Sequence, residues 1–427
     1  RFHISQNLFS DYLTIFIKVL FFFLEYFPFF EYNKNNTQKE DHLGMKFSSK
    51  IQRCQLSPFF VFDSYAEQVK ARGIHIYHLN LGQPDILTPK EYYKALQEYS
   101  NPVISYPPSE GKPEIVDAVR KYYAQLGVEL RREDILITFG GSEALQMAIA
   151  SIIDDGDEII VPEPHYPNYR ECTLLAGGNL HTIPTTPETG YRYATRGQIE
   201  PCINEHTRAI IVTNPGNPTG VVLSEDELLL LLEIAKEHDL FLICDEVYRE
   251  FVYNSERLVT ALQYPEYQDR VIIVDSVSKR FSACGTRIGF LISKNAELIS
   301  EATKWCQCRL GVSTVDQAAA AALYSVGKDY FDSVREEYKG RRDAMVRGLE
   351  KIPGVVFAEP EGAFYIMAAL PVDDVDKFQL WLLTEFQDQG ETLMFSPGRF
   401  FYSTPGKGHT EIRMAYVLKQ ADLERAM

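Results

Sequence analysis

Four short segments hold residue types that could do chemistry together. Lys279 ends the run Asp275-Ser276-Val277-Ser278-Lys279, and Arg287 follows within Gly285-Thr286-Arg287-Ile288-Gly289. A lysine flanked by hydroxyls at the end of a buried strand is partly desolvated, which frees its amine as a nucleophile or base. Ser276, Ser278 and Arg287 offer hydroxyl and guanidinium donors suited to a phosphate. Taken alone, the same stretch also reads as a surface lysine in a serine-rich turn. The second segment, Asn214-Pro215-Gly216-Asn217-Pro218-Thr219-Gly220, is a rigid turn that could hold the Asn217 amide toward a phenolic oxygen. It also reads as an ordinary strand-to-helix loop. In the third, Cys244-Asp245-Glu246-Val247-Tyr248, a carboxylate leaves an apolar strand and needs a partner. A protonated pyridine nitrogen would suit Asp245, with Tyr248 reaching the ring's phenolic oxygen; a helix N-cap is the alternative. The fourth, Phe139-Gly140-Gly141-Ser142-Glu143-Ala144-Leu145, runs from a strand through two glycines into a helix. Its bare amides and Ser142 could form an anion site, without the Gly-Lys-Ser/Thr ending of a Walker loop.

These segments need a frame to hold them. Seven apolar runs fall at Ile135–Phe139, Glu158–Val161, Leu180–Ile183, Ala209–Val212, Leu240–Cys244, Val271–Val274 and Ile288–Ile292. Several are β-branched without polar alternation, as in strands buried on both faces. Helical patterns such as Glu225–His238 lie between them. Such alternation predicts an α/β fold, a mostly parallel seven-stranded sheet with helices on both faces. Ligands of such sheets bind at the carboxyl ends of the strands, where the four segments fall. After about residue 315 the pattern becomes one long helical stretch through Leu349. Strand-like pieces follow near Gly354–Ala358, Phe364–Ala368 and Ile412–Ala415. Residues 45–85 and 315–427 are therefore expected to form a smaller α+β domain from both chain ends, and 86–314 a large domain.

Composition narrows the partners. The 427 residues are 45% hydrophobic and 24% charged with a net charge of -16, a globular balance that disfavours a nucleic-acid backbone. The seven cysteines lack disulfide spacing. Cys306-Gln-Cys308 has no second pair nearby to complete a zinc site, so no metal is expected. A reducing cytoplasm is the simplest location. Residues 1–44 begin with Arg and contain the apolar run Tyr12–Phe30, broken by Lys18, Glu25 and Pro28. They are read as a leader or read-through segment ahead of Met45, outside the fold, and no membrane association is expected. The last residues, Ala421–Met427, stop inside an apparent helix, so a longer C-terminus is expected.

In this order and spacing, the four segments closely resemble fold-type I pyridoxal-phosphate-dependent aminotransferases of class I/II, the aspartate aminotransferase superfamily. The resemblance runs from about Ser57 to the end. It implies pyridoxal 5′-phosphate as cofactor, held by Lys279 as a Schiff base, with Lys279 later moving the substrate's alpha proton. It implies that Asp245 pairs with the pyridine nitrogen, that Asn217 and Tyr248 bind the phenolic oxygen, and that Tyr166, in Pro164-His165-Tyr166-Pro167, stacks on the ring. Gly141, Ser142, Ser276, Ser278 and Arg287 match the phosphate cradle. Tyr106, in Ser105-Tyr106-Pro107-Pro108, resembles a tyrosine lent by a neighbouring subunit, which implies a homodimer. Arg413 corresponds to the arginine that grips the substrate alpha-carboxylate, and Gly82, in Asn80-Leu81-Gly82-Gln83-Pro84-Asp85, to a backbone contact with it.

The implied reaction moves an amino group between an L-amino acid and a 2-oxo acid. A carbon–sulfur lyase, a decarboxylase or a synthase on the same scaffold is the alternative. A non-catalytic regulator would need a DNA-binding domain, which residues 1–56 do not supply. Aspartate or glutamate with 2-oxoglutarate is the default substrate pair by family frequency. Arg309 and Arg399 are candidates for a distal carboxylate, or else solvated surface charges.

Overall fold

A computed structural model describes residues 46–253 and 258–427. The expected leader therefore lies outside the described residues. Strand β1 (His75–His78) comes first, followed by β2 (Ile135–Phe139), β3 (Glu158–Pro162), β4 (Asn179–Ile183), β5 (Thr207–Thr213), β6 (Phe241–Asp245), β7 (Val271–Ser276) and β8 (Ile288–Ile292). Strands β2 to β8 build one seven-stranded sheet in the order β2-β8-β7-β6-β5-β3-β4. All seven apolar runs are therefore strands of a single sheet. It is parallel from β4 through β7, while β8 runs antiparallel to both β2 and β7. The reversal follows from the link between β7 and β8, which has no crossover helix and carries Lys279 instead.

The pleat splits each strand between two cores, which is why these runs show no polar alternation. Ile210, Val212, Leu242 and Cys244 face one core, with Ile115 and Val119 of the helix Pro113–Ala124 and Leu228 and Leu231 of the helix Glu225–Glu237. Ala209, Ile211 and Ile243 face the other, with Ala144 and Met147 of the helix Gly140–Ala150 and Ala302 of the helix Ala296–Arg309. Glu225–Glu237 starts where its sequence dictates. Ser224 accepts from the Glu227 amide and Glu227 reaches back to the Ser224 amide, a complete capping box.

The remaining strands are β9 (Val356–Phe357), β10 (Tyr365–Ala369), β11 (Glu391–Met394), β12 (Ser396–Pro397) and β13 (Glu411–Ala415). Four of them form an antiparallel sheet, β12-β13-β10-β9, and β11 pairs in parallel with β1. Sequence reading did not find β1, β11 or β12. These strands are two to four residues long, and β1 finds its partner more than 300 residues away. The expected long helix is in fact two, Thr314–Leu323 and Lys328–Leu349, broken at Tyr324–Gly327, where Gly327 takes an extended conformation. The break separates two packing jobs. Ala319, Ala320 and Leu323 enter the core of the large sheet, whereas Tyr338, Met345 and Leu349 pack with Phe364, Ile366 and Met414 around the small sheet.

Candidate active site

Strands β5, β6 and β7 end side by side, with Thr213 beside Asp245 and Asp245 beside Val274. Their carboxyl ends, the start of the helix Gly140–Ala150 and residues of the small sheet enclose a cavity of about 250 Å³. Lys279, Asp245, Asn217, Tyr248, Tyr166, Gly141, Ser142, Ser276, Ser278, Arg287, Gly82 and Arg413 all line it. Tyr106 does not. It is 83% exposed and contributes nothing to the cavity of its own chain.

Lys279 reaches into the cavity from the β7–β8 link. Its Nζ donates to the Gly82 carbonyl at 2.8 Å and lies 3.9 Å from Cys284 Sγ. Asp245, the last residue of β6, is buried. Burial pushes its carboxyl up to about 6 from 3.8, against the opposing pull of a hydrogen bond from Tyr169 Oη at 2.8 Å and one from the Val247 amide at 3.3 Å. No helix begins at Asp245, since residues 247–250 form a turn, so the N-cap alternative does not apply. Asn217 Nδ2 sits 3.5 Å from Tyr248 Oη, and Tyr248 Oη pairs with Tyr365 Oη at 2.9 Å. Burial raises the Tyr248 phenol well above its ordinary value, so it stays a protonated donor.

The far end of the cavity is suited to an anion. Gly140, at φ +72°, turns the chain from β2 into the helix, whose first residues Gly141 and Ser142 line the cavity. Arg287 donates through Nη1 to the Cys284 carbonyl at 2.9 Å. A Cβ on Gly289 would lie 2.3 Å from the Gly140 backbone, so close packing requires that glycine, while Gly140 is required by its left-handed φ. Ser276 Oγ accepts from the Ser278 amide at 3.3 Å.

Arg413, on β13, closes the other end. It is buried, and it donates through Nη1 to Asn217 Oδ1 at 3.2 Å and through Nη2 to the Asn80 carbonyl at 2.6 Å. Its Nε has no partner, and it forms no ion pair among the described residues. Phe59, Tyr365 and Phe401 surround the guanidinium, with ring centroids 4.5 to 5.0 Å away. Burial lowers its pKa from the ordinary arginine value. A buried guanidinium with a free donor and no ion pair among the described residues is suited to receive a carboxylate.

Arg309 and Arg399 lie off the cavity. Arg309 is bonded to Glu143 at 3.1 Å and Arg399 to Asp376 at 2.7 Å. Arg309 is not the solvated charge the sequence also allowed, because only 12% of its side chain is exposed. Sequence reading missed Tyr169, Thr213, Asn80, Phe59, Cys284 and Tyr365, which also line the cavity. Tyr169 had a usable signal, lying three residues beyond Tyr166. Tyr365 and Phe59 had none, since they belong to segments brought in by tertiary packing.

The arrangement fits pyridoxal phosphate on chemical grounds. A buried carboxylate wanting a cation, an amine at bonding reach of a ligand and an amide-and-arginine cradle open on one cavity. Residues 74–427 match the family described as aminotransferase class I and II. The aspartate aminotransferase of Streptomyces avermitilis is 32% identical over 88% of this chain and 93% of its own length. The aspartate aminotransferase from Thermus thermophilus, solved with maleate, superposes with a TM-score of 0.81 at 26% identity, over 90% of this chain and 98% of that one. An alanine aminotransferase from Pyrococcus furiosus gives 0.81 at 28% identity, over 89% and 97%.

Proposed function

The chain belongs to the class I and II aminotransferase family, and from that premise we propose how its own residues carry out amino transfer and on what. The enzyme transfers an amino group between an amino acid and a 2-oxo acid with pyridoxal phosphate. The cofactor supplies an aldehyde that condenses with an amine and a ring that takes up the electron pair left at the substrate's alpha carbon. Lys279 would hold the cofactor through Nζ, and its free amine would carry the alpha proton as general base and acid. Asp245 would keep the ring nitrogen cationic. Asn217 and Tyr248 would bind the phenolic oxygen, Tyr166 would stack on the ring, and Gly141, Ser142, Ser276, Ser278 and Arg287 would hold the phosphate. Arg413, with the Gly82 backbone, takes the alpha-carboxylate.

The observation that carries this reading is the pairing of two unmet demands in one cavity. Among the described residues neither Asp245 nor Arg413 forms an ion pair: the buried carboxylate has only the longer-range pull of Lys279, and the buried guanidinium has a free Nε. Cofactor and substrate answer one each.

Aspartate or glutamate with 2-oxoglutarate is the proposed substrate pair, supported by the names of the relatives. A homodimer is proposed in which Tyr106 completes the neighbouring site. Its support is that Tyr106, Val103 and Ile104 are 83%, 69% and 67% exposed, an apolar segment with no place in its own chain's cavity. Two domains are proposed to meet at the cavity, residues 45–85 with the C-terminal part against the large sheet, with Thr314–Leu323 kept on the large side. No helix among the described residues is long and apolar enough to cross a membrane. The cytoplasm is the proposed location, on the cysteine pattern of the sequence.

The test is to incubate the cofactor-loaded protein with aspartate and 2-oxoglutarate and to follow glutamate and oxaloacetate. Stoichiometric formation of both is expected. Release of ammonia, sulfide or carbon dioxide without a new amino acid would instead assign a lyase or decarboxylase.

A further inference from the structure

Lys279 sits in the turn that leaves β7, outside any strand or helix. Three backbone hydrogen bonds close that turn. The Phe281 amide donates to the Val277 carbonyl at 3.3 Å, Ser282 to Lys279 at 3.2 Å and Ala283 to Ser278 at 3.1 Å. All three are longer than the commonest amide–carbonyl distance, so side-chain anchors must share in fixing the lysine.

The turn has two faces. Ser276, Ser278 and Lys279 line the catalytic cavity. Asp275, Val277, Arg280 and Phe281 do not, and each is 1% exposed or less. On this buried face Arg280 Nη2 pairs with Asp275 Oδ1, and both side chains are closed to solvent. The guanidinium rests 4.5 Å from the Tyr122 ring centroid. Asp275 Oδ1 also accepts from the Ser276 amide at 2.7 Å, and Oδ2 accepts from Tyr123 Oη at 3.1 Å. The pair therefore joins the end of β7 to the residue directly after Lys279. Replacing a buried ion pair by apolar residues is often neutral or stabilising, so stability alone is a weak reason for one. What this pair fixes is the path of the chain on both sides of Lys279.

We propose that Asp275 and Arg280 are positioning residues for Lys279, holding its amine on the cavity side where it meets the cofactor aldehyde and the alpha proton. The proposal rests on Lys279 being the cofactor lysine. Asp275→Asn combined with Arg280→Met removes both charges together, and the asparagine keeps an acceptor for the Ser276 amide. In this cofactor-free variant, the rate at which added pyridoxal phosphate forms the Schiff-base absorbance should fall about tenfold or more. Affinity for pyridoxamine phosphate, which fits the same cavity without condensing, should change by less than about twofold. Amino transfer should fall with the Schiff-base rate. Methylamine supplied to Lys279→Ala should restore turnover equally well with and without the pair, because a free amine needs no positioning. Arg280→Lys keeps the charge but not the planar fork, and carries the same comparison should the double variant not fold. Schiff-base formation at the wild-type rate, or an equal loss of pyridoxamine phosphate affinity, would overturn the proposal and leave the role of Lys279 standing. A Schiff base formed by Lys279→Ala would instead overturn the assignment beneath it.

Discussion

Replacing Asp245 by asparagine separates what this carboxylate costs the fold from what it contributes to the site. Burial raises its carboxyl from 3.8 to about 6. At about 1.4 kcal/mol per pKa unit, ionising it in the cofactor-free fold costs ~3 kcal/mol at pH 8. Asparagine removes that charge and keeps an Oδ1 to accept from the Val247 amide, but its Nδ2 replaces the oxygen that accepts from Tyr169 Oη, a bond worth about 1 kcal/mol. Asp245→Asn should therefore stabilise the cofactor-free protein by ~2 kcal/mol at pH 8.

The difference shrinks with acid. Between 3.8 and about 6 the folded carboxyl is protonated while the unfolded one is still ionised. The fold then binds more protons, and wild-type stability rises as pH falls through this window. By pH 4 most of that cost is gone, and the protonated carboxyl, like asparagine, offers one acceptor and one donor, so the two proteins should differ by only about 0.5 kcal/mol or less. Urea unfolding of both cofactor-free proteins at pH 8 and pH 4 gives the two differences, and cofactor release rates give the functional loss. A variant less stable than wild type at pH 8, or a difference that does not change with pH, would refute the reasoning.

Three further substitutions test neighbouring parts of the account. Tyr169→Phe removes the bond that opposes burial at Asp245, so it should lower stability at pH 8 by about 1 kcal/mol. It should also move the stability rise on acidification to higher pH, read by the same urea series. Arg413→Leu should leave the cofactor's absorbance in place yet lower kcat/KM roughly 100-fold or more; an equal loss of cofactor would place Arg413 elsewhere in the mechanism. Gly289→Ala would drive a Cβ to 2.3 Å from Gly140 and 2.5 Å from the Gly141 amide. Because both obstacles are backbone, it should cost ~2 kcal/mol or more and loosen cofactor retention, measured by thermal unfolding and dialysis.

Much of the large sheet was legible because its strands are buried on both faces. Val271–Val274 and Ile288–Ile292 could hardly be anything else, and the reactive residues follow strand ends by the rule of parallel sheets. The small sheet was less legible. Ser396–Pro397 and Val356–Phe357 are too short to show a period, and β1 carries two histidines and depends on pairing with a strand near the other end of the chain. The helix break at Tyr324–Gly327 was missed because apolar residues continue through it, and only the change of packing partner marks it. Within the cavity, the residues tied to a turn or strand end were visible. Tyr365 and Phe59 were not, because nothing local to them states that they will face Arg413.

Reduction of the cofactor-loaded enzyme with borohydride, followed by proteolysis and peptide mass mapping, tests the central assignment most directly. The phosphopyridoxyl group should be found on Lys279 alone, and Lys279→Ala should carry none and show no amino transfer. Recovery of the group on another lysine, or normal turnover by Lys279→Ala, would contradict the account.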